Sequence, residues 1–250
     1  MIENYGFRQR SAENILAELQ QIQGAYRTVS IVDDNFLADK KRSHQIFDLI
    51  LKNNIEMDFH IIGSRVDSAD RSLYEKMKRA GVKVMTLGIE SGNQDVLDYY
   101  RKHITLDQIR TAVHLGHEMG FFMSASFILG GPIETKKHIE NTMKFMQSLP
   151  LDTVIIRPFY YELGSEVWNE AVHNGFLKED DWFVPADSKK HLGNFSSKEL
   201  QIYLQRAYRG FYVRPRYIIG QLVQSIITKD SNRLITTLKV MLSARIQNIL

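Results

Sequence analysis

Residues 81–94, Gly-Val-Lys-Val-Met-Thr-Leu-Gly-Ile-Glu-Ser-Gly-Asn-Gln, decide how the rest of the chain is read. An apolar run from Val82 to Leu87 ends in Gly88-Ile89-Glu90-Ser91-Gly92. Glycines at 88 and 92 let a backbone turn tightly or lie close to a ligand. Between them stand one carboxylate and one hydroxyl. A strand that ends in a glycine-bracketed acid and runs on into a helix predicts a site at the C-terminal end of a barrel strand, where barrel enzymes place their chemistry. The plainer alternative is a strand-to-helix turn capped by Ser91 or Asn93.

The same unit recurs on both sides. Thr28–Val32 is a β-branched run that ends in Asp33-Asp34-Asn35-Phe36, and Phe59–Ile62 ends in Gly63-Ser64-Arg65. Phe121–Leu129 runs into Gly130-Gly131-Pro132, and Thr153–Ile156 into Arg157-Pro158. Between them lie segments with helical spacing. Ser11, Thr105 and Thr135 stand where N-caps belong, and Gly81 and Gly120 where helices stop. Five strands at roughly 30-residue spacing with helices between them predict an α/β fold of parallel strands joined by crossover helices. After Pro158 the pattern stops. Trp168–Val172 reads as helix, Lys178–Phe195 as a polar loop, and Ser196 onward as helix broken at Arg214-Pro215. Residues 1–175 are therefore expected to form a barrel-like domain, and residues 176–250 a loop and helical extension.

Composition removes several kinds of chemistry. The 250 residues include no cysteine, which excludes disulfides, thiolate nucleophiles and any cysteine-held metal or cluster. His114 and His117 share a helix face, but a solvated face is the expected reading, and no metal site is assigned. No apolar run approaches the roughly 18 residues that span a bilayer. The start lacks a basic region followed by an apolar core, so the cytoplasm is the expected compartment. The net charge of +3 is unevenly placed: nine Lys/Arg against two acids lie from Lys198 onward.

In a parallel sheet the strand ends converge on one face. Asp34, Arg65, Glu90, Ser91, Gly130, Gly131 and Arg157 would meet there. Acids, two arginines and a glycine pair suit a zwitterionic or phosphorylated small molecule, because an arginine grips a carboxylate through two parallel hydrogen bonds. Taken singly, Arg65 or Arg157 is more often a salt-bridged rim residue.

Residues 7–175 resemble the radical S-adenosylmethionine superfamily, in the branch whose members often carry a cobalamin-binding domain upstream. Phe7-Arg8-Gln9-Arg10-Ser11 with Asn14-Ile15 resembles the segment after the cluster loop. Asp33-Asp34-Asn35-Phe36 resembles the end of the family's second strand, Ser64-Arg65-Val66-Asp67 that of the third, and Gly88–Gly92 that of the fourth. Residues 126–135, Ser-Phe-Ile-Leu-Gly-Gly-Pro-Ile-Glu-Thr, resemble the fifth, and the segment from Pro158 to Ser165 follows the sixth. The resemblance implies a partial TIM-like (β/α) barrel with its first strand missing. It implies that Glu90 and Ser91 hold the amino or ribose groups of S-adenosylmethionine and Arg65 its carboxylate. Ser126 is the small residue that, with Gly130 and Gly131, flanks the adenine. No residue is assigned as a catalytic acid or base, since in this family cluster and cofactor make the radical and the protein orients the parts.

The departures carry equal weight. Family members hold a [4Fe–4S] cluster with CxxxCxxC in the loop after the first strand, and this sequence begins where that loop should end. Ile133 also replaces the usual glycine of the fifth motif. The resemblance thus implies the S-adenosylmethionine-binding part of a split or truncated radical enzyme, with an upstream fragment as partner that would bring the cluster loop and a cobalamin domain. One alternative is a non-catalytic relative that binds a nucleotide-like metabolite or a partner protein. The other is an unrelated barrel enzyme using Asp34, Glu90 and Arg157 on a phosphorylated substrate. The basic, aromatic tail Arg206–Ile246, with Phe-Tyr-Val-Arg-Pro-Arg at 211–216, is similar to tails in the cyclase-like and lipid-modifying members. Peripheral contact with an anionic membrane ranks ahead of nucleic acid as a partner for it. A missing first strand would also leave Thr28–Val32 as an open edge, prone to pairing with a second copy.

With no thiolate available, anaerobic reconstitution of this chain alone with iron and sulfide should yield no stoichiometric cluster and form no 5′-deoxyadenosine. Product above a protein-free control would contradict that expectation.

Overall fold

The computed structural model describes residues 8–228 and residue 235. Five strands form one sheet in the order β1 (Thr28–Val32), β2 (Asp58–Ser64), β3 (Val82–Glu90), β4 (Phe122–Leu129), β5 (Thr153–Pro158). Sequence order equals spatial order, and each strand returns parallel through a helix. This is the expected partial (β/α) barrel.

Local chemistry sets the crossover helices. α1 (Ala12–Ile22) starts at Ser11, whose hydroxyl accepts the Asn14 N–H at 3.1 Å. α2 (Lys40–Lys52) and α3 (Arg71–Arg79) start at Asp39 and Asp70, whose carboxylates accept the N–H of Arg42 and Leu73. The Arg42 N–H holds the Asp39 carboxyl below the usual range, and the Ser72 hydroxyl together with the Leu73 N–H does so for Asp70. α4 (Gln94–Tyr99) follows β3, and α5 (Leu106–Glu118) has a reciprocal capping box between Thr105 and Gln108. His114 and His117 lie exposed on α5, and no cluster of metal-ligating side chains occurs among the described residues. α6 (Lys136–Ser148) leads into β5.

The chain falls into two compact units. The first takes in residues 1–89, 97–126 and 149–153. Its core is built on Phe47, Phe59, Ile61, Tyr74, Met77 and Leu87, all fully buried. β1 differs from the strands beside it: none of its five residues is buried, Val32 is 79% exposed, and it ends the strand order.

The second unit takes in residues 90–96, 127–148 and 154–250. The polar segment 178–195, expected as loop, contributes a short strand. Tyr160–Glu162 (β6) pairs antiparallel with Phe183–Pro185 (β7). Three residues ending in proline carry too little alternation to stand out in sequence. α7 (Glu166–His173) lies between them.

After them come α8 (Ser197–Tyr212) and α9 (Pro215–Thr228). α8 holds the free edge of β5. Tyr212 Oη accepts the Val154 N–H at 3.0 Å and donates to the Val154 carbonyl at 3.2 Å. Tyr208 Oη does the same for Ile156, at 2.9 and 3.1 Å. One helical turn apart, the two rings stack at 6.3 Å with an interplanar angle of 8°, matching alternate residues of the strand. Arg214 stacks on Phe211 and bonds the carbonyls of Phe211 and Gln147. These aromatic residues of the tail, with Tyr217, are thus packed inside the unit, while Val213, Ile219, Leu222, Val223 and Ile226 are exposed. No described helix is long and apolar enough to cross a membrane. Residues 229–234 and 236–246 of the tail lie outside the described residues.

Removing the Tyr212 hydroxyl leaves a buried N–H and C=O without partners, at about 1–3 kcal/mol. Tyr212→Phe should lower the urea midpoint accordingly, and Tyr208→Phe by less, since Tyr208 is only half-buried. Unchanged midpoints for both would show that the hydroxyls are not the edge's partners.

Candidate functional site

The stretch that opened the sequence reading folds differently from expectation in one respect. β3 continues through Gly88 to Glu90, and neither Gly88 nor Gly92 has a positive φ. The turn conformation falls on Glu90 itself, at φ 70°. A non-glycine residue there costs on the order of 1 kcal/mol or more and is held only by its surroundings.

Those surroundings are on α6. A Cβ on Gly92 would stand 2.6 Å from Phe145 Cβ and 2.8 Å from Thr142 Cα, so the glycine serves helix approach. Thr142 Oγ1 accepts the Gly92 N–H at 3.1 Å and the Asn93 side-chain N–H at 3.0 Å. Asn93 also donates to the His138 carbonyl at 2.8 Å and accepts from Asn141 at 3.0 Å. Ser91 is fully buried, its hydroxyl 3.3 Å from Thr142 Oγ1 and accepting the Asn93 N–H at 3.2 Å. A second tie runs through His138. Its Nδ1 accepts the Thr135 N–H at 3.0 Å, which leaves Nε2 to donate to Asp95 Oδ2, also at 3.0 Å. The α6 residues that fix the turn after Glu90, His138, Asn141 and Thr142, lie within about one turn of that helix.

The Gly130-Gly131 turn is fixed from beneath by Glu134. Its Oε2 accepts the Gly131 N–H at 2.8 Å, while Asn194 donates to the carbonyls of Pro132 and Glu134 at 3.2 and 2.9 Å. Gly130 sits at φ 87°, and a Cβ there would run into the side chain of Leu200. Glu134 is fully buried, and its second oxygen, Oε1, has no hydrogen-bond partner. Burial raises its pKa to about 7, against the opposing pull of the Gly131 and Gly130 N–H groups, and nearby Asp95 pushes the same way as burial. Sequence reading passed over Glu134. The available signal was an acid three residues after Gly131 in a Gly-Gly-Pro turn, placed to accept that turn's N–H.

The other expected residues are placed as follows. Arg65 bonds Asp67 at 2.9–3.2 Å and donates to the Lys102 carbonyl at 2.6 Å, so its guanidinium already has a carboxylate. Asp34 is exposed in the turn after β1, where neighbouring Asp33 accepts the Asn35 N–H. Ser126 is half-buried in β4. Arg157 is exposed at the end of β5. Glu90, Ser91, Gly130, Gly131 and Arg157 belong to the second unit, and Asp34, Arg65 and Ser126 to the first.

The model of the radical SAM superfamily matches residues 2–146. The chain belongs to the radical SAM superfamily. It is 29% identical over 225 residues to an uncharacterised methyltransferase of Pyrococcus horikoshii, covering 87% of this chain and 48% of that protein. The chain thus spans about half the length of that relative. Its fold is similar to that of the radical S-adenosylmethionine methyltransferase TsrM of Kitasatospora setae, solved with cobalamin and a [4Fe–4S] cluster (TM-score 0.55, 13% identity, 60% of this chain and 31% of that one). It is similar also to coproporphyrinogen III oxidase of Escherichia coli (TM-score 0.52, 15% identity, 78% and 46%).

S-adenosylmethionine and the [4Fe–4S] cluster are the cofactors of this superfamily. The donor set here does not fit the cluster: the sequence offers no thiolate, and no alternative ligand group occurs among the described residues. Toward S-adenosylmethionine the second unit offers an acid at the end of β3 and a glycine turn held by Glu134.

Glu134 gives a pH-dependent prediction. Its carboxyl binds the proton more tightly in the folded chain than in the unfolded one, where 4.5 is the ordinary value. Its share of stability is therefore full below about 4.5 and lost as pH rises through about 7, a change of roughly 3 kcal/mol. Glu134→Gln should flatten the loss of stability between about pH 5 and about pH 8. An identical pH dependence in both proteins would remove Glu134 as its source.

Proposed function

We propose that this chain is the S-adenosylmethionine-holding part of a radical SAM enzyme of methyltransferase type. A polypeptide segment carrying one further parallel strand and a CxxxCxxC cluster loop completes it at the β1 edge. The observation that carries this reading is that edge. β1 ends the sheet, and beside it runs a groove of about 430 Å³ bounded by α1, with Leu19, Ile22, Val29, Ile31 and Phe36 among its walls. A strand laid there finds backbone donors and acceptors along one side and apolar side chains along the other. The family match and the absence of cysteine support the same division of labour. Cobalamin enters this reading only with such a segment. The chain's own residues would bind and orient: Glu90 would hold the polar end of S-adenosylmethionine and Gly130-Gly131 its adenine, while a cluster held by the other segment would supply reducing power when bound.

Co-expression with a segment carrying a strand and CxxxCxxC should give a complex with the visible absorption of a [4Fe–4S] cluster and formation of 5′-deoxyadenosine. Without it, the chain should self-associate through β1. S-adenosylhomocysteine should bind the chain weakly by calorimetry, and Glu90→Gln should abolish that binding. A monodisperse chain at high concentration that forms no complex would contradict the open edge. Equal binding by both proteins would remove Glu90 from the site.

A further inference from the structure

A cavity of about 610 Å³ lies wholly within the second unit, between the end of β5, the β6–β7 pair and α8. That volume suits a small molecule of drug or metabolite size. One wall is aromatic: Tyr160 and Phe183 stack face to face at 4.1 Å with an interplanar angle of 14°. The opposite wall is Leu200 and Leu204 of α8, and the Tyr208 ring stands with its hydroxyl occupied by the Ile156 backbone. Phe183 is 57% exposed although it lines a concave wall, so the stack has a face available to a ligand.

Among the described residues lining the cavity, Arg157 alone is charged, and it is exposed. Among the described residues no hydrogen bond or ion pair occupies its guanidinium, in contrast to Arg65. Ser197, which also lines the cavity, donates to Asp187, whose carboxylate accepts the Lys189 N–H as well. Leu200 also fills the space above Gly130, so the cavity adjoins the Gly130-Gly131 turn through one side chain.

We propose that this cavity binds a molecule with a flat apolar body and one carboxylate, the body against Tyr160 and Phe183 and the carboxylate on Arg157. A flat ring gains offset stacking on such a wall. A guanidinium beside apolar walls is less screened than one in water and makes its strongest hydrogen bonds to a carboxylate. The proposal concerns binding alone and stands apart from cluster assembly or turnover.

Calorimetry on the full chain with naphthoate and with neutral naphthalenemethanol tests it. Naphthoate should bind at one site per chain, more tightly than the alcohol. Arg157→Gln should weaken naphthoate roughly tenfold or more and leave the alcohol unchanged. Leu204→Trp, which fills the cavity without touching the charge, should weaken both. No saturable naphthoate binding by the wild type would overturn the proposal. So would equal naphthoate affinity in Arg157→Gln, an equal loss of both probes there, or unchanged binding in Leu204→Trp.

Discussion

A parallel sheet of five strands has two outer edges, and each must find partners for its backbone N–H and C=O groups or remain reactive. This chain treats the two edges in opposite ways. At β5 the hydroxyls of Tyr208 and Tyr212 each serve one N–H and one C=O, in step with the strand's two-residue repeat. Phenol side chains thereby do for β5 what a sixth strand would do, and α8 is locked to the sheet. At β1 an uncharged, half-exposed strand faces a groove. The two units differ accordingly: in the second, α8 covers the edge of β5, and in the first, β1 ends the strand order beside a groove.

The turn after Glu90 and the turn at Gly130-Gly131 share a design. Each leaves the sheet at a residue of positive φ, Glu90 in one and Gly130 in the other, and each is fixed by polar side chains, of which Asn93, Thr142 and Glu134 are buried. Thr142, Asn93 and the His138–Asp95 pair fix the first. Glu134 and Asn194 fix the second. An unpartnered carboxylate oxygen in a dry site is costly unless the group takes up a proton, and that is the physical origin of the raised Glu134 pKa. Rigid turns at strand ends are what a ligand site requires of its scaffold.

The fold was legible because its signal is periodic. Every strand of the five-stranded sheet announces itself by a β-branched or apolar run ending in Gly, Asp or Arg, and the helix caps at Ser11 and Thr105 were visible as residue types. At the strand ends the sequence shows which residues stand there and not what they touch. Ser91 looked like a ligand contact because a hydroxyl beside glycines can face outward, whereas the structure buries it against Thr142, 51 residues away. Arg65 read either as a ligand's partner or as a salt-bridged rim residue, and the structure pairs it with Asp67 and the Lys102 carbonyl. Gly92 looked like a turn because sequence does not distinguish a glycine needed for φ from one needed for a neighbour's approach. The tyrosines of α8 read as one face of a helix, and only the structure shows which strand their hydroxyls meet.

The account rests on β1 being the edge that a further strand completes. Amide hydrogen exchange along Thr28–Val32 tests it most directly, at a concentration where the chain is monomeric and again with the cluster-bearing segment bound. Alternate amides of a parallel edge strand should exchange rapidly in the chain alone and become protected in the complex, while those of Val154 and Ile156 stay protected in both. Full protection of Thr28–Val32 in the monomer would mean that the edge is already covered, and would contradict the account.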